Sequence, residues 1–204
     1  CFMAAVLTAE MQNTDKIVTL IDECRSMKLV IVPPDINRGQ FNFTVNEKGE
    51  IVYGLGAIKG LGEGPVGGIL AAREERPFTN LLDICQRVET LNVNKRTMEA
   101  LIRSGALDNM VEGDLDYARA LLSALLPQAM QAAEQSSRNQ ASGVEDMFGE
   151  IAPAGTEDAN LSASNITVRA WAEQHRLKVE KDTLGLWLSG HPIDEFLDEL
   201  SHIT

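Results

Sequence analysis

Apolar positions recur with a helical period along most of the 204 residues and alternate strand-like over one short stretch. Residues 2–11 (FMAAVLTAEM) predict the end of a helix. NTDKIVTLIDECRSM (13–27) predicts a second, with Asn13 or Thr14 as N-cap, Asp15 in the first turn, and Ile17, Leu20, Ile21 and Cys24 along one face. LVIV (29–32) predicts a short buried strand stopped by Pro33-Pro34. FNFTVNEKGEIVYG (41–54) alternates on both sides of Asn46-Glu47-Lys48-Gly49, which predicts a β-hairpin with Phe41, Phe43 and Val45 facing Ile51 and Tyr53.

Downstream the pattern is helical. Residues 66–75 can form a helix weakened by Gly67-Gly68. TNLLDICQRV (79–88) and NKRTMEALIRS (94–104) predict two capped helices, the second bounded by Gly105. A longer helix is expected over 114–136, kinked or broken at Pro127. Residues 137–165 lose the apolar period and are rich in Ser, Ala, Gly, Asn and acids, which predicts a flexible linker. Helical patterning returns at 170–189, SGHP (189–192) turns the chain, and Ile193–Leu200 is expected as a last helix.

Composition and charge add to this picture. The net charge of −12 argues against a surface that coats nucleic acid. The acidity is uneven: residues 55–109 balance their charges, whereas 110–204 carry most of the excess. The three cysteines, Cys1, Cys24 and Cys85, have no metal-binding spacing and predict buried thiols in a reducing cytoplasm. No run of about 18 apolar residues exists, so no membrane span is expected. The first seven residues lack the basic flank of a signal peptide, and the missing initiator Met suggests a piece of a longer chain.

The chemistry concentrates in YGLGAIKGLGEGP (53–65). Such a glycine density brings a backbone close to an anion. A dinucleotide fingerprint would need an unbroken helix after the first glycines, and Gly60, Gly62, Gly64 and Pro65 interrupt it. A phosphate-binding P-loop lacks its Gly-Lys-Ser/Thr. A helix-hairpin-helix fits better: a short helix Leu55–Lys59, a turn at Gly60-Leu61-Gly62, and a second helix beginning at Pro65. Its amides and positive helix end would face one phosphate, with Leu61 anchoring the turn, Gly60, Gly62 and Gly64 baring the backbone, and Lys59 adding charge. A turn that merely packs two helices remains the alternative. NKRTMEALIRSGALDNM (94–110) offers a second such unit, with Lys95, Arg96 and Arg103 available for phosphates or simply solvated.

FMAAVLTAEMQNTDKIVTLIDEC, VPPDIN, IVYGLGAIKGLGEGP, NKRTMEALIRSGALD and DTLGLWLSGHPI occur in the order found in the alpha subunits of bacterial DNA polymerase III, the C-family replicative polymerases. The chain resembles that family over nearly its whole length, most weakly over 111–165. The resemblance implies a mainly α fold with a small β-hairpin. In sequence order it implies the end of a fingers domain (1–40), the hairpin (41–54), a tandem helix-hairpin-helix domain (55–113), the long helix (114–136), the linker (137–165) and a helical approach to an OB-fold (166–204). It implies a parent DNA-directed DNA polymerase using Mg²⁺ on carboxylates upstream of this stretch, so the fragment itself has no catalytic residues and is not expected to polymerise. Asp114-Leu115-Asp116 has metal-like spacing but sits at a helix start, where acids cap.

The implied partners are double-stranded DNA, the sliding clamp (the beta subunit) and other polymerase III holoenzyme subunits. The family carries a clamp-binding peptide, and VEDMF (144–148) stands at its place. Met147 and Phe148 would enter an apolar pocket and Asp146 would orient the backbone, while Val144 replaces the usual Gln. His191 in SGHP is expected to be structural, and Trp171 and Trp187 to be core anchors. Two rival classes stay open: a protein-interaction scaffold using the acidic C-terminal half, and a nucleotide-dependent enzyme that would bind NAD or ATP.

Overall fold

A computed structural model describes residues 2–88, 93–141 and 167–194. Helix α1 (Phe2–Ala9) packs on α2 (Thr14–Ser26), which buries Ile17, Ile21 and Cys24. The Asn13 side chain accepts a hydrogen bond from the Lys16 N–H at 3.2 Å, so Asn13 is the N-cap.

The expected hairpin forms from β2 (Thr44–Val45) and β3 (Ile51–Val52), with Val45 opposite Ile51 and Thr44 opposite Val52. Asn46 closes its turn by accepting from the Lys48 and Glu50 N–H groups. Phe43 and Tyr53 meet edge to face with ring centroids 4.9 Å apart. The alternating pattern gave no hint of the third partner: β1 (Ile31–Val32) pairs parallel to β3, for a sheet order β1-β3-β2.

Four helices build the rest of the hairpin unit: α3 (Glu63–Glu75), α4 (Leu81–Val88), α5 (Lys95–Arg103) and α6 (Leu115–Ala141). Helix α7 (Glu173–Leu184) packs against α5 and α6. The buried side chains of α2, the sheet and α3 to α6 form one continuous apolar core. Together these make a mainly helical protein with a small sheet.

Three local expectations change. The first hairpin helix is a single 3-10 turn, Leu55–Ala57, not Leu55–Lys59. The second begins at Glu63 with Gly62 as N-cap, so Pro65 is its third residue. Any first-turn position tolerates proline, because its missing N–H would be unsatisfied anyway. Helix α6 runs as one helix through Pro127 and on to Ala141, past the expected end at 136. An interior proline costs about 3 kcal/mol. Burial of Leu121, Leu122, Leu125 and Leu126 before it, and of Ala129 and Ala133 after it, offsets that cost while Pro127 itself lies on the exposed side.

Candidate nucleic-acid interface

The glycine-rich stretch divides into two kinds of glycine. At Gly54 an added Cβ would lie 2.8 Å from the backbone of Asn42, and at Gly56 it would lie 2.7 Å from the Phe41 ring. These two serve packing. At Gly60, Gly62 and Gly64 an added Cβ would meet nothing within 4 Å, and all three residues are exposed. Gly60 has φ +89°, a conformation that favours glycine. Gly62 has φ −85°, which any residue adopts. Neither backbone nor packing therefore demands glycine at 62.

The main chain explains what these positions keep bare. The Lys59 N–H donates to the Thr183 carbonyl at 3.1 Å and the Leu61 N–H to the Ile58 carbonyl at 3.1 Å. Among the described residues, the N–H groups of Gly60, Gly62, Glu63 and Gly64 find no acceptor. They lie at the N-terminal end of a 13-residue helix, where the helix dipole is positive. Leu61, 4% exposed, plugs the bend into the core beside Leu55, Ile58 and Val66. The Lys59 side chain is exposed and has no ion pair among the described residues. Glu63 places a carboxylate in the first turn, where it opposes an incoming anion.

The second unit is built differently. After α5 the chain turns at Ser104-Gly105-Ala106, and all three residues are buried. The three N–H groups donate to Ala100, Ile102 and Leu101 carbonyls, so the bend has no amide to offer. A side chain at Gly105 would run into the Arg119 guanidinium and the Asp108 carboxylate. What α5 leaves outside is charge: Arg96 is exposed without an ion pair among the described residues, and Lys95 and Arg103 each stand 3.9 Å from Glu99. Among the described residues, no hydrogen bond or ion pair joins these groups to the first bend.

Arg119, which nothing in the sequence pattern singled out, is 2% exposed at the centre of a charge cluster. It donates to both Asp108 carboxylate oxygens, to Glu180 Oε2 at 2.8 Å and to the Arg103 carbonyl. Burial works against its charge, but the hydrogen bonds and charges of Asp108 and Glu180 outweigh it and raise its pKa further. Glu180, 0% exposed, also accepts from the Leu188 and Ser189 N–H groups. Asp116 accepts from Arg176 Nε at 2.8 Å, so one of the two carboxylates of the Asp114–Asp116 spacing is engaged in an ion pair. Among the described residues, no group of three or more His, Cys, Asp or Glu side chains is placed to hold a metal ion.

Trp171 and Trp187 are half-buried, not core anchors. Lys181 Nζ lies 3.9 Å from the Trp187 ring centroid and His191 meets that ring edge-on, which a surface stack permits. His191 serves its turn by accepting from the Ile193 N–H at 3.2 Å. Val144, Asp146, Met147 and Phe148 lie outside the described residues. No described helix is long and apolar enough to cross a membrane.

Comparison with known proteins finds the motif across the scaffold that carries both bends. The model of a helix-hairpin-helix motif matches residues 28–115. The DNA polymerase III subunit alpha of Pseudomonas aeruginosa is 52% identical over 98% of this chain. That of Haemophilus influenzae is 48% identical over 100% of it, and that of Escherichia coli 48% over 98%. The chain spans about 17–18% of the length of these curated relatives. Identity near one half from end to end, on a scaffold that includes the hairpin motif, places this chain in the DNA polymerase III alpha-subunit family as one segment of it.

Proposed function

We propose that this segment grips the sugar-phosphate backbone of double-stranded DNA inside a DNA-directed DNA polymerase, with the Gly60–Gly64 bend as the gripping element. The observation that carries this is the set of unpartnered, exposed amides on Gly60, Gly62, Glu63 and Gly64 at the head of α3. A phosphate would accept from those amides and lie on the positive end of the helix. Lys59, and more distantly Lys95 and Arg96, would add charge. Because main-chain groups do most of the work, an acidic protein can hold an acidic polymer without reading its sequence. Synthesis itself, and the Mg²⁺ it uses, belong in this reading to carboxylates elsewhere in the parent polymerase, a cytoplasmic enzyme.

Titrating duplex DNA at two salt concentrations tests the grip. Binding is expected to be sequence-blind, with a shallow salt dependence because few side chains release counterions. Gly62→Asp, which puts a carboxylate among the bare amides, is expected to weaken binding about tenfold or more. Unchanged affinity in that variant would overturn the assignment.

The second part of the reading is contact with the sliding clamp through Asp146, Met147 and Phe148, alongside the other holoenzyme subunits. It is supported by the order of sequence blocks and by the isolated apolar pair in a polar stretch. Phe148→Ala is expected to abolish most binding to the clamp; binding as tight as the parent chain's would retire it.

A further inference from the structure

Helix α7 lies outside the stretch that matches the hairpin motif, yet it and the residues flanking it reach the first bend, α2, α5 and α6. Its Thr183 carbonyl accepts the Lys59 N–H, the bonded amide immediately before Gly60, the first of the bare ones. At its start, the Asp116 carbonyl accepts the Trp171 N–H at 3.2 Å, and Arg176 pairs with Asp116. At its middle, Glu180 pairs with Arg119 at 2.8 Å. At its end, Gly185 packs so closely on Thr14 of α2 that a Cβ would run into the Thr14 methyl group. Arg25 of α2 then donates to the Trp187 carbonyl at 2.8 Å.

This attachment is unusually polar. On α7 itself Leu177 and Leu184 are the buried aliphatic side chains, while Arg176, Glu180 and Thr183 are buried beside them. Ion pairs hold orientation more strictly than apolar contact does, because each hydrogen bond has a direction. Their loss leaves buried charges unpaired, so the helix docks in one pose.

We infer that α7 is the brace that sets the pose of the Gly60–Gly64 bend, with Arg176, Glu180 and Gly185 as positioning residues that never touch the ligand. The inference rests on the reading of that bend as a phosphate grip. In it, the hairpin motif is incomplete without a helix supplied from beyond residue 166. The Thr183 carbonyl engages the Lys59 amide and so fixes where the next four residues point.

Two disruptions at opposite ends of α7 test this on the full 204-residue chain. Arg176→Gln breaks the pair with Asp116, and Gly185→Ala meets Thr14 and carries a side chain at φ +85°. Lys178→Ala, an exposed change on the same helix, is the control. Amide hydrogen exchange is read at Lys59, with the Ile84 amide of α4 as the marker of global folding. Both disruptions are expected to speed exchange at Lys59 about tenfold, leave Ile84 protected, and weaken duplex binding about threefold to tenfold. Lys178→Ala is expected to do none of these.

Unchanged Lys59 exchange in both variants overturns the brace. Faster exchange with undiminished DNA affinity overturns its link to gripping. If the parent chain does not bind duplex DNA at all, the grip itself fails, and the exchange measurement alone then decides whether α7 sets the bend.

Discussion

The two bends at Gly60–Gly64 and Ser104–Ala106 look alike as sequence: each is a helix, a glycine and a leucine nearby, with basic residues in reach. In three dimensions they are opposites. The first is open, its amides unspent and its glycines facing space. The second is closed, its amides bonded to the end of α5 and its glycine roofed by Arg119. One bend leaves its amides facing solvent and the other holds the molecule together. Glycine therefore stands in two opposite settings here: at Gly105 a side chain is excluded by the Arg119 and Asp108 groups already inside, and at Gly62 nothing inside the molecule excludes one.

That contrast can be broken most violently at the closed bend. Arg119→Ala leaves Asp108 and Glu180 buried without their cation, and chemical denaturation is expected to show a loss of about 3–5 kcal/mol. The same substitution style at the open bend, Gly62→Ala, is expected to stay within about 0.5 kcal/mol of the parent chain. Equal losses at the two sites would erase the distinction.

A smaller effect separates the far ends of the two units. Asp83 bridges Arg76 and Arg87 between α3 and α4 and accepts from the Thr79 N–H. Burial alone would raise its pKa, but those hydrogen bonds and charges outweigh burial and hold it below the usual carboxylate value. Its stabilisation is therefore complete above the unfolded value near pH ~4 and is lost as pH falls through the lower folded value. Asp83→Asn is expected to remove about 1 kcal/mol at neutral pH and to flatten the acid limb of a stability-against-pH curve. An acid limb identical to the parent chain's would contradict this.

The smallest change sharpens the open bend. Glu63→Gln removes the carboxylate in the first turn of α3, and duplex affinity is expected to rise about twofold in low salt. A fall in affinity would mean that the anion does not sit there.

Much of the scaffold was legible because its signals are local. Asn13 and Asn94 cap helices as their side-chain chemistry requires, and the alternation around Asn46–Gly49 makes a hairpin. The errors arose where distant burial overrides local preference: Pro127 sits inside a helix because apolar residues on both sides of it are buried. In the candidate site, Leu61 and the three glycines were readable from spacing. Arg119, Glu180 and Arg176 were not, since a charged residue in a helical pattern looks solvated until its partner, 61 residues away for Arg119 and Glu180, is folded against it. The parallel pairing of β1 with β3 was hidden for the same reason.

The mooring of Trp171 to Asp116 has a mechanical consequence. Helix α6 advances about 1.5 Å per residue, so its far end stands roughly 40 Å from where it begins. The chain departs from Ala141 at that far end and comes back to Asp116 at the near one. Ala141 and Trp171 are thereby fixed at opposite ends of one rod, so a load applied at either point is carried along its length into the body of the protein.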